Sequence, residues 1–242
     1  MANWSDPRTT AVPRSTTVGV GEAAFDAGLR SYMLSVYNYM ASGVLLTGIV
    51  ALLFANSGLA AQVLVTPLRW LIILAPLAFV MVLSFGINRL STTAAQGLFW
   101  AFAVAMGLSM SSIFLVYTGT SIAQTFFATA AAFAGLSLFG YTTKKDLSGF
   151  GTFLIMGVVG LLVAMLINIF LQSTVMQLAI SAIGVLLFAG LTAYDTQKIK
   201  SMYFYVQGTD FAGKSVVMAA LTLYLDFINM FTFLLQFMGD RR

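Results

Sequence analysis

The sequence predicts an all-α integral membrane protein with seven transmembrane helices, the last of them polar along one side. Of the 242 residues, 60% are hydrophobic and only 8% are charged, whereas an ordinary soluble domain carries about 25% charged residues. Seven apolar runs recur along the chain, and each reaches the roughly 20 residues that a helix needs to cross a bilayer core. The chain therefore has room for one membrane domain and essentially no soluble domain.

Residues 1–30 form the polar start of the chain. Their polar stretches, such as Ser5–Thr10 and Pro13–Thr17, lack apolar periodicity, which is typical of a mobile terminus. The first apolar run comes too late and is too long for a signal peptide. We therefore expect a flexible cytoplasmic N-terminal tail over residues 1–30 and a seven-helix transmembrane domain over residues 31–242.

The seven predicted spans follow one another with short polar breaks. Turn residues separate them, for example Asn56-Ser57-Gly58 after the first span and Thr118-Gly119-Thr120 after the third. In the fifth span, small residues and one asparagine recur at spacings that place them on one face, which favours close packing between helices; they are Gly157, Gly160, Ala164 and Asn168. The predicted spans cover residues 32–55, 68–88, 95–117, 121–141, 151–171, 177–197 and 215–238.

The basic residues predict how the chain is oriented. With seven spans, the side of the N-terminus holds nine Lys and Arg residues, namely Arg8, Arg14, Arg30, Arg89, Lys144, Lys145, Lys198, Lys200 and Lys214. The other side holds three, Arg69, Arg241 and Arg242. Because basic residues favour the cytoplasmic side, we expect the N-terminus inside and the C-terminus outside. Six spans and a re-entrant final segment would instead return Arg241 and Arg242 to the cytoplasm, and this alternative stays open.

The residues that are missing restrict the chemistry. The chain contains neither histidine nor cysteine, so thiolate chemistry is absent and a pH response between about 5 and 8 has to use carboxylates. No nucleophile stands beside a base, which argues against an enzyme. The basic residues are spread along the chain rather than clustered, which argues against a nucleic-acid surface. The expected partners are the lipid bilayer, protons and cations.

Only two acidic residues, Asp195 and Asp226, fall within the predicted spans. Asp226 lies near the middle of the last span, where an ionised carboxylate costs about 2.5–3.5 kcal/mol. It must therefore face the bundle interior, pair with another group or hold a proton. Five polar residues of this span are spaced 7, 4, 3 and 7 apart and share one stripe: Ser215, Thr222, Asp226, Asn229 and Gln236. Such a stripe lines a water path or a packed polar interior, or it only joins helices.

Asp195 and Asp226 are expected to meet. They lie on consecutive antiparallel spans, both toward the cytoplasmic half. Two carboxylates within hydrogen-bonding range share one proton because they cannot both ionise cheaply. The pair would act as a pH-dependent latch, closed while it shares a proton and opened by repulsion when both groups ionise. The ionised pair would also form a weak Ca²⁺ site. Alternatively, Asp195 is a solvated ion-pair partner of Lys198.

Two segments carry a resemblance to a known family. Gly190-Leu191-Thr192-Ala193-Tyr194-Asp195-Thr196-Gln197-Lys198-Ile199-Lys200 and Leu223-Tyr224-Leu225-Asp226-Phe227-Ile228-Asn229 closely resemble signatures of the transmembrane Bax inhibitor motif family. The loop Lys144-Lys145-Asp146-Leu147-Ser148 and Asn168 resemble its bacterial members, and the resemblance covers roughly residues 30–238. It implies a seven-helix fold with the last helix central and a pH-sensitive Ca²⁺ leak channel. The family's proton-sensing di-aspartyl pair matches Asp195 and Asp226.

The resemblance also points to an arginine. In the family, an arginine at the cytoplasmic end of the second helix partners the aspartate pair. Here Asn88 stands at the matching position and Arg89 follows it, so Arg89 is the candidate gate partner. An acidic residue that some relatives carry within the second helix has no counterpart, since residues 75–86 contain neither Asp nor Glu.

The predicted function is a pH-sensitive calcium (cation) leak channel of the bacterial inner membrane. It is gated by Asp195 and Asp226 and requires no cofactor beyond a calcium ion. Two alternatives stay open. One is a modulator of a membrane-bound quality-control protease, acting through the N-terminal tail. The other is a proton-coupled transporter, which would also use buried carboxylates.

Overall fold

The fold is known from a computed structural model, which describes the backbone of residues 17–242 and the side chains from residue 25 onward. This part of the chain forms eight α-helices and no β-strand. Seven helices are long and apolar enough to cross a membrane, and α2 is a short turn of helix. The predicted all-α, seven-helix class is therefore confirmed. The helices are α1 Thr17–Asn56, α2 Leu59–Val63, α3 Leu68–Gly86, α4 Thr92–Val116, α5 Gly119–Thr142, α6 Ser148–Leu171, α7 Thr174–Val206 and α8 Ala212–Met238.

Two helices continue beyond the predicted apolar runs, and they meet where they do so. Helix α1 begins at Thr17, before the predicted border between tail and membrane domain at residues 30 and 31, and α7 continues to Val206. Phe25 of α1 packs on Tyr203 and Phe204 of α7, with ring centroids 5.2 and 4.7 Å apart. This contact between distant segments explains both extensions. Residues 1–16, the rest of the predicted tail, lie outside the described residues.

Helix α8 occupies the centre of the bundle. It packs against α1, α4, α5 and α7, whereas α3 packs mainly on α4 and α6 on α7. In the most apolar window of α8, 67% of the residues are buried, against 11–28% in the other spans. The expectation of a central last helix is confirmed. Because the other helices shield it from lipid, this helix can carry polar side chains.

The chain end excludes a re-entrant last segment. Helix α8 is unbroken over its 27 residues, which corresponds to about 40 Å and is enough to cross a bilayer. Beyond it, the backbone N–H of Thr118 donates to the carbonyl of Asp240 (3.1 Å), and that of Arg242 donates to the carbonyl of Val116 (2.9 Å). The α4–α5 turn that receives the C-terminus follows the third span, on the side opposite to the start of α1. The alternative of six spans and a re-entrant segment is therefore wrong.

Buried hydrogen bonds join α8 to its neighbours. The hydroxyl groups of Tyr32 and Ser215 lie 2.7 Å apart, and those of Thr47 and Tyr224 also lie 2.7 Å apart. The Thr47 hydroxyl donates to the carbonyl of Ala103 on α4 at 2.8 Å. Since lipid provides no donors or acceptors in the membrane core, such side chains are satisfied by one another or by backbone carbonyls of the helices.

Glycines allow two of the helix contacts to be close. A Cβ atom on Gly140 of α5 would collide with the backbone carbonyl of Ala193 on α7, and one on Gly157 of α6 would lie 2.6 Å from Leu187. Gly160 has no atom within 4 Å of such a position. The prediction that Gly160 shares the packing face of α6 is therefore wrong, because the buried face runs through Gly151, Leu154, Leu161 and Asn168.

Candidate functional site

The site is built around two carboxyl groups on adjacent antiparallel helices. Asp226 lies near the middle of α8 and is only 4% exposed. Asp195 lies on α7, is half-buried, and its carboxyl group lies beside that of Asp226. The structure therefore brings together the two aspartates that the sequence singled out.

One oxygen of the buried carboxyl group has no partner. Asp226 Oδ2 is shielded from solvent and receives no hydrogen bond from another group. An unsatisfied buried polar atom costs about 1–3 kcal/mol, and more when it is charged. A proton held between the two carboxyl groups supplies a donor and removes one of two facing charges. The geometry thus suits a pair that binds one proton.

Lys198 is the basic residue that lies nearest to Asp195 along α7. It lies one turn beyond Asp195 on α7 and is the basic residue that acts electrostatically on that carboxyl group. Its Nζ lies 6.0 Å from the centroid of the Tyr194 ring. Among the described side chains, no basic nitrogen comes within 4.0 Å of an acidic oxygen. Asp195 therefore forms no direct ion pair with Lys198, and its carboxyl group lies beside Asp226 instead.

Arg89 is not brought to the pair. It is exposed in the turn after α3, and its backbone N–H donates to the carbonyl of Gly86. Its guanidinium forms no ion pair within 4.0 Å with a described carboxylate. Helix α3 packs mainly on α4, and the predicted ion pair between Arg89 and the aspartates is absent from this structure.

The rest of the predicted polar stripe divides into two parts. Thr222 and Asn229, both half-buried, donate to carbonyls of their own helix, those of Met218 (3.1 Å) and Leu225 (2.8 Å). The ends of the stripe instead bond to neighbouring helices: Ser215 to Tyr32, and Gln236 to Gln177. The two ends of the stripe therefore join α8 to neighbouring helices. The polar side chains next to Asp226 in the middle of the stripe are bonded only within α8.

A cluster of amides lies at the opposite end of the bundle from Asp195. Gln177 Nε2 donates to Gln236 Oε1 at 2.7 Å, and Asn168 Nδ2 donates to Gln177 Oε1 at 3.2 Å. The backbone N–H of Ser173 donates to Asn168 Oδ1 at 3.1 Å. This cluster was not predicted from the sequence. Gln236 was identified as part of the polar stripe of the last span, and Asn168 as part of a packing face of the fifth span. Gln177 lies at the start of a span, where polar residues are common, so its role could not be recognised.

Two of the family-like segments contact each other. The side chain of Gln197, two residues beyond Asp195, donates to the carbonyl of Lys145 and accepts from the backbone N–H of Leu147, both at 2.8 Å. Lys200 Nζ donates to the carbonyl of Tyr141 at 2.8 Å. The α5–α6 loop is thus fixed to α7 within one turn of Asp195.

Asp146 in this loop has a local structural role. It accepts a hydrogen bond from the backbone N–H of Ser148 at 2.9 Å, at the start of α6. Hydrogen bonds from the side chain and backbone of Ser148 lower the pKa of Asp146 below its usual value. The lowered pKa favours an ionised carboxylate at Asp146. This carboxylate accepts the hydrogen bond of a free backbone N–H at the start of α6.

The metal-binding capacity of the site is small. The described residues contain no group of three or more His, Cys, Asp or Glu side chains that could hold a metal ion. A calcium ion at Asp195 and Asp226 would have two carboxylates and would complete its six to eight ligands with water or carbonyl oxygens. Two protein carboxylates alone would hold such an ion weakly.

Comparisons with known proteins cover most of the chain. The model of the family described as inhibitor of apoptosis-promoting Bax1 matches residues 29–242. The inner membrane protein YbhL of Escherichia coli K12 is 48% identical over 220 residues, which are 89% of this chain and 94% of YbhL. A protein of Rickettsia prowazekii is 47% identical over 220 residues, covering 90% of this chain and 93% of the relative. A protein of Deinococcus radiodurans is 44% identical over 214 residues, covering 88% and 92%.

Proposed function

The chain belongs to the Bax inhibitor family of membrane proteins, and from this premise we propose that it is a pH-sensitive cation leak channel that passes Ca²⁺. The observation that carries the proposal is the contact between Asp195 and the buried Asp226 on the central helix. In a membrane domain whose other acidic residues lie outside the predicted spans, this contact is the feature that a change of proton concentration would alter.

The gating step follows from charge. While one proton is shared, the carboxyl groups attract each other and hold α7 against α8. When both groups ionise, two unit charges about 4 Å apart repel by about 4 kcal/mol at an effective dielectric constant of ~20. An energy of this size shifts a two-state equilibrium roughly a thousandfold. Repulsion within the pair thus biases the α7–α8 seam toward opening.

The surroundings of the pair determine how protons reach it. Asp195 is half-buried and Asp226 is buried, so protons enter through Asp195 from the side where α7 ends. Lys198 is exposed on that side, one turn beyond Asp195, and its positive charge favours the ionised form of that carboxyl group. The ionised carboxylates then offer hard oxygen ligands to a passing Ca²⁺.

We also propose the location and orientation. The relative YbhL is an inner membrane protein, and an inner-membrane location with a cytoplasmic N-terminus agrees with the nine basic residues on that side against three on the other. The aspartate pair would then report the cytoplasmic pH, since Asp195 lies toward the N-terminal side of the bundle.

Ca²⁺ flux from liposomes tests the proposal. Purified protein reconstituted with a Ca²⁺-sensitive dye should give a passive leak that rises as the pH increases from 6 to 8. One titrating proton limits the rise to about tenfold per pH unit. Asp226→Asn should hold the leak at its low-pH value at every pH. The matched control, Asp146→Asn, changes a loop carboxylate and should leave the pH profile intact.

The outcomes separate the candidate functions. Absence of leak, or an unchanged pH profile in Asp226→Asn, would refute the channel. A saturable Ca²⁺ flux accompanied by proton counterflow would instead identify a proton-coupled transporter. Recording the internal pH with a second dye in the same liposomes distinguishes the two.

A further inference from the structure

A long groove opens between α1 and α5 on the membrane-facing side of the bundle. It has a volume of about 820 Å³, within the ~300–1,000 Å³ typical of small-molecule sites. Its walls are apolar and include Met33, Met40, Val44, Ala130 and Phe133. Phe227 of the central helix forms part of its lining, so the groove reaches the core of the protein.

One end of the groove is polar. Arg30 and Tyr141 lie there, and the Lys200 Nζ is 4.7 Å from the centroid of the Tyr141 ring. Arg30 is exposed, and no described carboxylate oxygen lies within 4.0 Å of it, although Asp26 is one turn away. Its guanidinium is therefore available to an anion, and its planar donors suit a phosphate group.

The groove has the length of one membrane leaflet. Arg30 and Leu45, which mark its ends along α1, are fifteen residues apart, and this corresponds to about 22 Å of helix. A bilayer is about 40–45 Å thick with its headgroups, so half of it matches this length. A cation at one end and an apolar trough of leaflet length complement an anionic lipid.

We propose that the groove between α1 and α5 binds one acyl chain of an anionic phospholipid whose headgroup phosphate is held by Arg30. The lipid comes from the leaflet on the N-terminal side of the bundle. Its chain runs from Arg30 toward Leu45 and covers Phe227.

The site adjoins the aspartate pair. Phe227 directly follows Asp226 in the chain. Ser137, which also lines the groove, lies 3.4 Å from the hydroxyl of Thr196, the residue after Asp195. A bound acyl chain would thus pack directly against Phe227 beside Asp226 and would reach the Asp195 segment only through Ser137. The lipid site is nevertheless independent of whether the protein conducts ions.

Fluorescence quenching by labelled lipids tests the site. The chain contains no cysteine, so Leu138→Cys introduces a single attachment point for a small fluorophore at the groove. Leu166→Cys on α6 is the control for a lipid-exposed position outside the groove and in the opposite leaflet, since the two leucines are 63% and 60% exposed and each lies within five residues of a helix end. Both variants are reconstituted in phosphatidylcholine vesicles with a minor fraction of nitroxide-labelled phosphatidylglycerol or phosphatidylcholine.

Labelled phosphatidylglycerol should quench position 138 about fivefold more efficiently than labelled phosphatidylcholine, the enrichment expected from one basic residue near an anionic headgroup. Position 166 should respond equally to both lipids. Arg30→Gln should abolish the preference at position 138, and Arg30→Lys should retain most of it. Equal quenching by both lipids at position 138, or a preference that survives Arg30→Gln, would overturn the proposal. If Leu138→Cys fails to fold, Ala41→Cys on the opposite wall gives the same readout.

Discussion

The hydrogen bond between Tyr224 and Thr47 gives a quantitative test of how the central helix is held. Tyr224 is fully buried and Thr47 is 3% exposed. Because the Thr47 hydroxyl hydrogen is directed to the Ala103 carbonyl, Tyr224 is the donor in its 2.7 Å contact with Thr47. The two single substitutions are therefore not equivalent.

Tyr224→Phe removes one donor and leaves Thr47 bonded to Ala103. We expect a loss of about 0.6 kcal/mol, and at most ~1.7 kcal/mol, in the free energy of unfolding, the range of hydrogen bonds between membrane helices. Thr47→Val leaves the Tyr224 hydroxyl buried without an acceptor, which costs about 1–3 kcal/mol. The double variant has no unpaired group and should be more stable than Thr47→Val alone.

Equilibrium unfolding in mixed micelles with increasing sodium dodecyl sulfate measures all four proteins of this cycle. The test is whether the double variant is destabilised by less than the sum of the two single losses, as a hydrogen-bonded pair requires. If the two losses add within about 0.3–0.5 kcal/mol, as they do for independent sites, the hydroxyl groups do not act as a pair, and the reasoning from the buried hydrogen bond fails.

Two further predictions concern the packing and the α5–α6 loop. Gly140→Ala should destabilise the protein by about 1–3 kcal/mol, because its Cβ would collide with the Ala193 carbonyl; its control, Gly135→Ala on the same helix, has open space and should be neutral or stabilising in the same unfolding assay. For Asp146, the lowered pKa means that its contribution to stability is present above the unfolded-state pKa and is lost as the pH falls through the folded-state value. Asp146→Asn should therefore lower the thermal unfolding midpoint at pH 7, and the difference should shrink as the pH falls into the acid range; a difference that does not depend on pH would contradict the assignment.

Hydropathy predicted the spans well because it depends on neighbouring residues alone. All seven predicted runs overlap the helices, and the predicted breaks that begin at Asn56 and Thr118 lie where α1 ends and where α5 begins. The extensions of α1 and α7 could not be predicted in this way. They depend on Phe25 packing against Tyr203 and Phe204, a contact between segments that are far apart in the chain.

The aspartate pair was accessible to sequence reasoning for a physical reason. A carboxylate in a membrane is expensive, so two of them on consecutive antiparallel spans are expected to meet. The sequence restricts the partners of uncharged residues much less than those of a buried carboxylate. Spacing alone placed Gly160 on a packing face that it does not share, and Gln177, which bonds both Asn168 and Gln236, carried no signal at all. Arg89 was taken from the resemblance, and the structure places it away from the pair.

The pH profile of Ca²⁺ leak in a complete set of aspartate variants tests the central claim most directly. If Asp195 and Asp226 act as one proton-binding unit, Asp195→Asn and Asp226→Asn each remove the whole rise between pH 6 and 8, and the double variant removes no more. Losses that add from one variant to the next, or a rise that persists in the double variant, would show that the two carboxyl groups are not the gate.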